Sequence, residues 1–213
     1  VSAATVAEPT LKGIDPSILD SFNVISGVAG WRVPYFDSEG THYRTKLFPF
    51  DGEELDGGAR SRWIGKSKPQ IPYGAWQLRK ADRRALILTE GESDTWALAE
   101  FVPSVVALGI PGASAWKPGW LAGIDDFERI YLSFDADDAG RKLADIVMRD
   151  ISRARYVTLP DGADTRSFLQ RCGREDYLRL VREAEAVYRI RRSMNVAAEA
   201  VRRGNLIRDG WLW

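Results

Sequence analysis

The stretch LSFDADDAG, residues 132–140, decides the fold: an apolar run stops at Phe134, and Asp135, Asp137 and Asp138 follow within four positions. The run it closes, RIYLSF at 129–134, is one of four short apolar runs, the others being ALILT at 85–89, SVVAL at 104–108 and RYVTL at 155–159. Continuous apolar runs of this length are typical of strands buried on both faces. Helical patterns lie between them. One carries Trp96, Leu98 and Phe101, a longer one carries Leu143, Ile146, Val147 and Ile151, and a short one is expected between Trp120 and Phe127. Strands alternating with helices predict an α/β layer with a largely parallel sheet.

In an open parallel sheet, ligands bind beyond the carboxyl ends of the strands. The first run ends in TEGESD, with Glu90, Glu92 and Asp94, and the third in FDADDAG, so both acidic groups leave the sheet on one edge. Side chains two apart on an extended segment point the same way, which lets Asp135 and Asp137 face one ion. Oxygen ligands of this kind suit Mg²⁺ or Mn²⁺. The competing reading is a solvated strand end. Glu92 and Asp138 are as readily outward-pointing or helix-capping residues, and Gly91 and Gly140 read as tight strand-to-helix turns.

Spacing excludes several other chemistries. An EF-hand would need an oxygen ligand at 139 and Glu at 146, where the chain has Ala139 and Ile146. There is no GxxxxGK[ST] phosphate loop. His42 is the sole histidine, which removes a His-based triad and an HExxH site. Cys172 is the sole cysteine, which removes an intrachain disulfide and a cysteine zinc cluster.

The 213 residues carry 30 basic and 30 acidic side chains, so net charge names no partner, but the charges are segregated. From Arg60 to Arg84 there are eight Lys or Arg against Asp82, whereas residues 85–138 hold ten carboxylates against Lys117 and Arg129. The absence of an 18-residue apolar run and of a secretory pattern at the start predicts a soluble, cytoplasmic protein without a membrane partner.

Residues 1–10 read as a loose lead, and Asp15 or Pro16 opens a short helix. GWRVPYFDSEGTHYRTKLFPF, residues 30–50, alternates around a turn at Asp37-Ser38-Glu39-Gly40 and predicts an antiparallel hairpin. Residues 51–74 predict a loop broken by a short strand near 61–64. Further helices are expected over 165–171, 174–188 and 194–203, the last part basic through Arg189, Arg191, Arg192, Arg202 and Arg203.

EGESD at 90–94 together with DADDAG at 135–140 resembles the Toprim domain of DnaG-type primases, type IA and II topoisomerases and certain nucleases. That resemblance covers residues 83–170. Around it, VPYFDSEGTHYRTKLFPF, WIGKSKPQIPYGAWQL at 63–78, ALGIPGASAW at 107–116 and LPDGADTRSFL at 159–169 resemble segments of a bacterial or phage primase catalytic core. Ala163 and Thr165 depart from the common basic residue and proline of the last segment. The zinc module and helicase P-loop of larger primases are not in the sequence, which fits either an excised core or a reduced protein.

The resemblance implies a Toprim-like small parallel sheet flanked by helices, with an N-terminal mixed α+β basic subdomain. It divides the chain into 1–84, a Toprim metal-binding domain at 85–170 and a C-terminal helical extension at 171–213. It further implies template-directed RNA primer synthesis from nucleoside triphosphates, on a single-stranded DNA template and beside a replicative helicase. Glu90, Asp135 and Asp137 would be the catalytic ligands of Mg²⁺ or Mn²⁺. Asp94 and Asp138 would serve a second ion or orient the first, and Asp164 would handle the nucleotide. Arg44, Lys46, Arg60, Arg62, Lys66 and Lys68 are candidates for phosphate contacts, with Trp63, Tyr73 or Trp76 as base-stacking rings. A Toprim nuclease or a noncatalytic nucleic-acid-binding module would use the same residues, and the acidic motifs alone leave these readings open.

Overall fold

The computed structural model describes residues 10–51, 53–55, 57–79, 82–112 and 115–209, so the expected lead at 1–10 lies almost wholly outside the described residues. Two four-stranded sheets are formed among the described residues. The first is antiparallel, in the order β1 (Ile25–Gly27), β2 (Gly30–Phe36), β3 (His42–Phe48), β4 (Arg62–Ile64), and is preceded by helix α1 (Pro16–Ser21). Asp15 opens α1 by accepting the Ser17 N–H at 2.8 Å. The β2–β3 turn forms where the sequence places it. Asp37 accepts the N–H groups of Glu39 and Thr41 at 3.0 and 2.9 Å, and the chain reverses before His42.

The second sheet is wholly parallel: β5 (Ala85–Thr89), β6 (Val106–Gly109), β7 (Arg129–Ser133) and β8 (Arg155–Tyr156), in the spatial order β6-β5-β7-β8. Helices α2 (Glu92–Phe101), α3 (Leu121–Ile124) and α4 (Asp138–Asp150) connect the strands. The two faces of this sheet divide with the period of two that strands impose. Ile87 and Tyr131 face α2 and the N-terminal sheet, in a core with Trp31, Val33, Tyr35 and Trp96. Leu86, Leu88, Ile130 and Leu132 face the other way, in a core with Leu143 and Val147 of α4. Burial on both faces is why the strands read as continuous apolar runs.

The connector between the sheets is pinned at Tyr73, which exchanges two backbone hydrogen bonds with Gly109 at the end of β6, 2.8 and 3.0 Å long. Its hydroxyl accepts from Trp96 Nε1 at 2.7 Å, and the residue is 0% exposed. Tyr73 is therefore core, not a ring open to a base.

Helix α5 (Thr165–Asp209) corrects the expectation of separate helices over 174–188 and 194–203. The intervening RIRRS contains no helix breaker, so the helix runs through it. The interruption is at Gly173, whose φ of 80° and ψ of 179° kink the chain near the expected 171–174 junction. A boundary at residue 171 thus falls inside α5. Among the described residues no helix is long and apolar enough to cross a membrane.

Candidate metal and phosphate site

The strand order places the site. From central β5 the chain turns through α2 to β6 on one side, and then crosses to β7 on the other. Connections diverge between β5 and β7, and the crevice at such a switch point opens beyond the strand ends. Glu90 follows β5 and Asp135 comes two residues after β7, so the crevice is bounded by these two carboxylates. The Asp135 N–H donates to Glu90 Oε2 at 3.4 Å.

Charge accumulates there without much to offset it. Burial, then the like charges of Asp135 and Asp137, push the Glu90 carboxyl up to about 7. Burial, then Asp164 and Asp137, raise Asp135 to about 6, with the Arg166 guanidinium pulling the other way. Asp94 is raised from the usual 3.8 to about 8, first by burial and then by Asp164 and Asp135. It would be higher still without the N–H of Arg166, which donates to Asp94 Oδ1 at 2.9 Å. Five carboxylates from three chain segments thus share one electrostatic environment.

Helix starts fix three of them. Asp137 caps α4 by accepting the Gly140 N–H at 2.8 Å, Asp164 accepts the Ser167 N–H at 2.6 Å in the first turn of α5, and Asp94 receives the Arg166 N–H of the same turn. Glu90 and Asp135 make no such cap. Asp138, expected as either ligand or cap, does not cap α4: its side chain is 87% exposed and pairs with Arg141 at 2.8 Å, while the cap belongs to Asp137.

Glu92, expected to point outward or to cap a helix, does neither. It is 6% exposed, accepts from Lys46 Nζ of β3 at 2.8 Å, and is hydrogen-bonded to the Tyr35 hydroxyl of β2. Burial first, then the Glu92 charge, push the Tyr35 phenol upward, so it stays a donor. This pair carries the basic sheet to the start of α2, two residues beyond Glu90. Arg44, on the same face of β3, lies 4.3 Å over the Trp63 ring, so Trp63 holds a cation on that side.

The other basic candidates do not join that face. Arg62 sits in register with Leu47, on the opposite side of the sheet from Lys46 and Trp63, and is exposed. Arg60 and Lys66 are exposed on the flanking loops. Lys68 donates to the Tyr43 carbonyl at 2.8 Å. Trp76 is half-buried against Phe22, Phe36 and Tyr73.

Two glycines shape the acidic turns. A Cβ at Gly140 would stand 2.1 Å from the Asp135 carbonyl oxygen, so the DADDAG loop closes only with glycine there. Gly109, which the sequence reading missed, passes under the other turn, where a Cβ would meet the Gly91 carbonyl oxygen at 2.6 Å and Thr95 Oγ1 at 2.9 Å. Only its position at a strand end hinted at this. Gly91 itself is extended, with a φ of −175°, and a Cβ on it would meet nothing nearer than Asp94 at 4.0 Å, so the tight turn does not itself demand glycine.

Among the described residues, no three His, Cys, Asp or Glu side chains converge into a ready-made metal cage. The donors are all carboxylate oxygens.

Residues 10–209 have a two-sheet arrangement shared with solved proteins. The Aquifex aeolicus primase, in a structure of its zinc-binding and RNA polymerase domains, superposes with a TM-score of 0.67 at 19% identity, over 81% of this chain and 53% of that one. The primase domain of bacteriophage T7, bound to an RNA/DNA hybrid and dTTP in a complex with the lagging-strand polymerase, superposes with a TM-score of 0.64 at 22% identity, over 80% of this chain and 87% of that one. The chain has the Toprim fold of the primase catalytic cores. The primase-like core spans about half the length of the Aquifex chain. In sequence, the Gene 57 protein of Mycobacterium phage D29 is 27% identical over 123 residues, 58% of this chain and 78% of that protein. No family model matches. In this chain the switch-point carboxylates follow strands of the parallel sheet, and the Lys46–Glu92 pair joins the helix after β5 to the N-terminal sheet.

Proposed function

We propose that this chain is the catalytic core of a DNA primase, making short RNA primers from nucleoside triphosphates on a single-stranded DNA template. The observation that carries the reading is the Glu90–Asp135 crevice at the switch point, with Asp94, Asp137 and Asp164 charge-coupled to it, while Lys46 of β3 pairs with Glu92 at the start of α2 and Arg44 lies on the same face of β3. The donor set fits Mg²⁺ or Mn²⁺ of the kind held by one or two carboxylates together with substrate phosphates, rather than an all-protein cage. Carboxylates whose ionised form is disfavoured by burial and mutual repulsion are the ones a divalent cation would relieve.

Glu90, Asp135 and Asp137 would hold the ion, and Asp94 would fix the start of α5 so that Asp164 faces them. Asp138 is the weakest member of the set, because its carboxylate is turned to Arg141. When bound, the metal neutralises phosphate oxygens as a 3′-hydroxyl attacks the α-phosphorus and pyrophosphate leaves. Arg44 supplies a planar donor to phosphate, preset by the Trp63 ring, while Lys46 adds charge at the rim. Arg60, Arg62, Lys66 and Lys68 would hold template phosphates further out. The division into 1–84, 85–170 and 171–213, the cytoplasmic setting and a helicase partner belong to the same reading.

The test is incubation of the chain with a single-stranded template, labelled nucleotides and Mg²⁺ or Mn²⁺, alongside labelled DNA without nucleotides. Template-dependent RNA products support primer synthesis. Shortened DNA with no primer would assign a nuclease, and binding without either product would assign a noncatalytic module.

A further inference from the structure

The distal half of α5 is not needed to build the acidic crevice, yet it forms one wall of a second groove. This groove has a volume of about 850 Å³ and lies between α4, the edge strand β8 and α5. That is within the range of ligand clefts, about 300–1,000 Å³. One end meets the candidate metal site. Arg141, on the α4 wall, donates its backbone N–H to the Asp137 carbonyl at 3.0 Å, and on the β8 floor burial first, then Asp137, Asp145 and Glu90 against the opposing Arg141, push the Tyr156 phenol upward.

The cations along the groove differ in what already occupies them. Arg141 pairs with Asp138 at 2.8 Å. Arg155 pairs with Glu185 at 2.7 Å and lies 4.2 Å over the Tyr188 ring, which anchors α5 to the sheet edge. Arg191 and Arg192, further along α5, make no ion pair among the described residues and are exposed on the groove wall beside Asn195. The lining also includes Asp145, Glu183 and Glu199, so the groove is not a uniformly basic funnel; its anion-binding capacity is concentrated at the adjacent arginines.

We infer that this groove is a second nucleic-acid site, in which Arg191 and Arg192 hold the phosphates of a single strand that runs along β8 to or from the Asp137 end of the acidic crevice. The choice of ligand rests on the primase reading, because it is that reading which puts a polynucleotide at the crevice. The chemistry agrees with a sugar-phosphate chain. Guanidinium groups take phosphate oxygens in bidentate fashion, the Tyr156 ring offers a face for a base, and Asn195 offers an amide. Of the exposed apolar side chains of α5, Ile190, Met194 and Val201 lie outside the groove while Val187 and Val196 line it beside the arginines, so its wall mixes apolar and cationic contacts.

The test measures binding of fluorescent oligo(dT) and oligo(rU) of equal length to the 213-residue chain by anisotropy, across roughly 50–200 mM salt. Each phosphate contact on a single strand contributes about 0.7 to the slope of log K against log salt, so Arg191→Ala with Arg192→Ala should lower the slope by about 1.4. Alanine is the best helix former, so this double variant keeps α5, which circular dichroism checks. The double lysine variant should retain the slope. Arg182→Ala with Arg189→Ala removes the same charge from the same helix outside the groove, and should leave the slope near the wild-type value. A stronger effect on oligo(dT) would assign the groove to template, and on oligo(rU) to product. Equal losses from the two alanine pairs, an unchanged slope in the Arg191/Arg192 pair, or no binding by the wild-type chain would each overturn the site. Primer synthesis is read in parallel, so that an inactive wild-type chain that still shows the groove-specific slope would sink the primase reading and leave the groove standing.

Discussion

Lys46 and Glu92 form a 2.8 Å ion pair between the N-terminal antiparallel sheet and the first turn of α2, with both side chains largely withdrawn from water. The pair couples the Lys46 face of β3 to the start of α2, two residues beyond Glu90.

Breaking that pair from one side leaves a buried charge without its partner, which typically costs about 3–5 kcal/mol. Glu92→Leu and Lys46→Met are each expected to destabilise the chain within that range in urea denaturation. Glu92→Leu combined with Lys46→Met should recover most of the loss, because a well-packed apolar pair avoids the desolvation of both ions. Full additivity of the single losses in the double variant would show that the two residues are not coupled.

Stability should fall as pH rises, the reverse of ordinary acid denaturation. Asp94, Glu90 and Asp135 are raised to about 8, 7 and 6, above their ordinary values, so from the ordinary carboxylate range upward the folded chain holds protons that the unfolded chain has released. Stability declines wherever the native state binds the more protons, here between roughly pH 4 and pH 8. The metal-free chain should therefore melt at a higher temperature near pH 5 than near pH 8. Asp94→Asn should raise the melting temperature at pH 8 by at least about 2–4 °C, the shift produced by 1 kcal/mol in a chain of this size, because the amide oxygen still accepts the Arg166 N–H. A melting temperature that climbs with pH over this interval would contradict the arrangement.

Gly140→Ala and Gly91→Ala should behave differently although both glycines belong to the acidic motifs. The first puts a methyl 2.1 Å from the Asp135 carbonyl oxygen and must displace the loop carrying Asp135 and Asp137; the second meets nothing nearer than 4.0 Å. Gly140→Ala is expected to lower the melting temperature and to reduce divalent-dependent primer synthesis about tenfold or more, by misplacing the reacting groups. Gly91→Ala should stay close to wild type in both measurements.

Glu90→Ala and Asp135→Ala are expected to reduce primer synthesis by about 10²–10³ or more, the scale at which removal of one transition-state stabilising group acts. The melting temperature near pH 8 should hold or rise, since each substitution removes a repelling carboxylate from a crowded crevice. Activity at the wild-type level in both variants would remove the crevice from the reaction.

The apolar runs and their acidic ends are local features, and they sufficed for the α/β class, the parallel sheet, the hairpin at 30–50 and the common edge of Glu90 and Asp135. Those follow from side-chain periodicity and from the rule that strand ends of a parallel sheet share one side. What each charged side chain meets was not legible. Glu92 turns inward because Lys46 and Tyr35 approach it from 46 and 57 residues away, and Tyr73 is buried because Trp96, 23 residues on, supplies its hydrogen bond. Asp137 rather than Asp138 caps α4, because the extended backbone at 137 lets its carboxylate reach Gly140, while Asp138 has already entered the helix and turns to Arg141. Sequence by itself determined where the carboxylates leave the sheet, since hydrophobic patterning acts over a few neighbouring residues. Only the tertiary structure decided which of them share an environment, because burial and Coulomb coupling depend on groups brought together from distant parts of the chain.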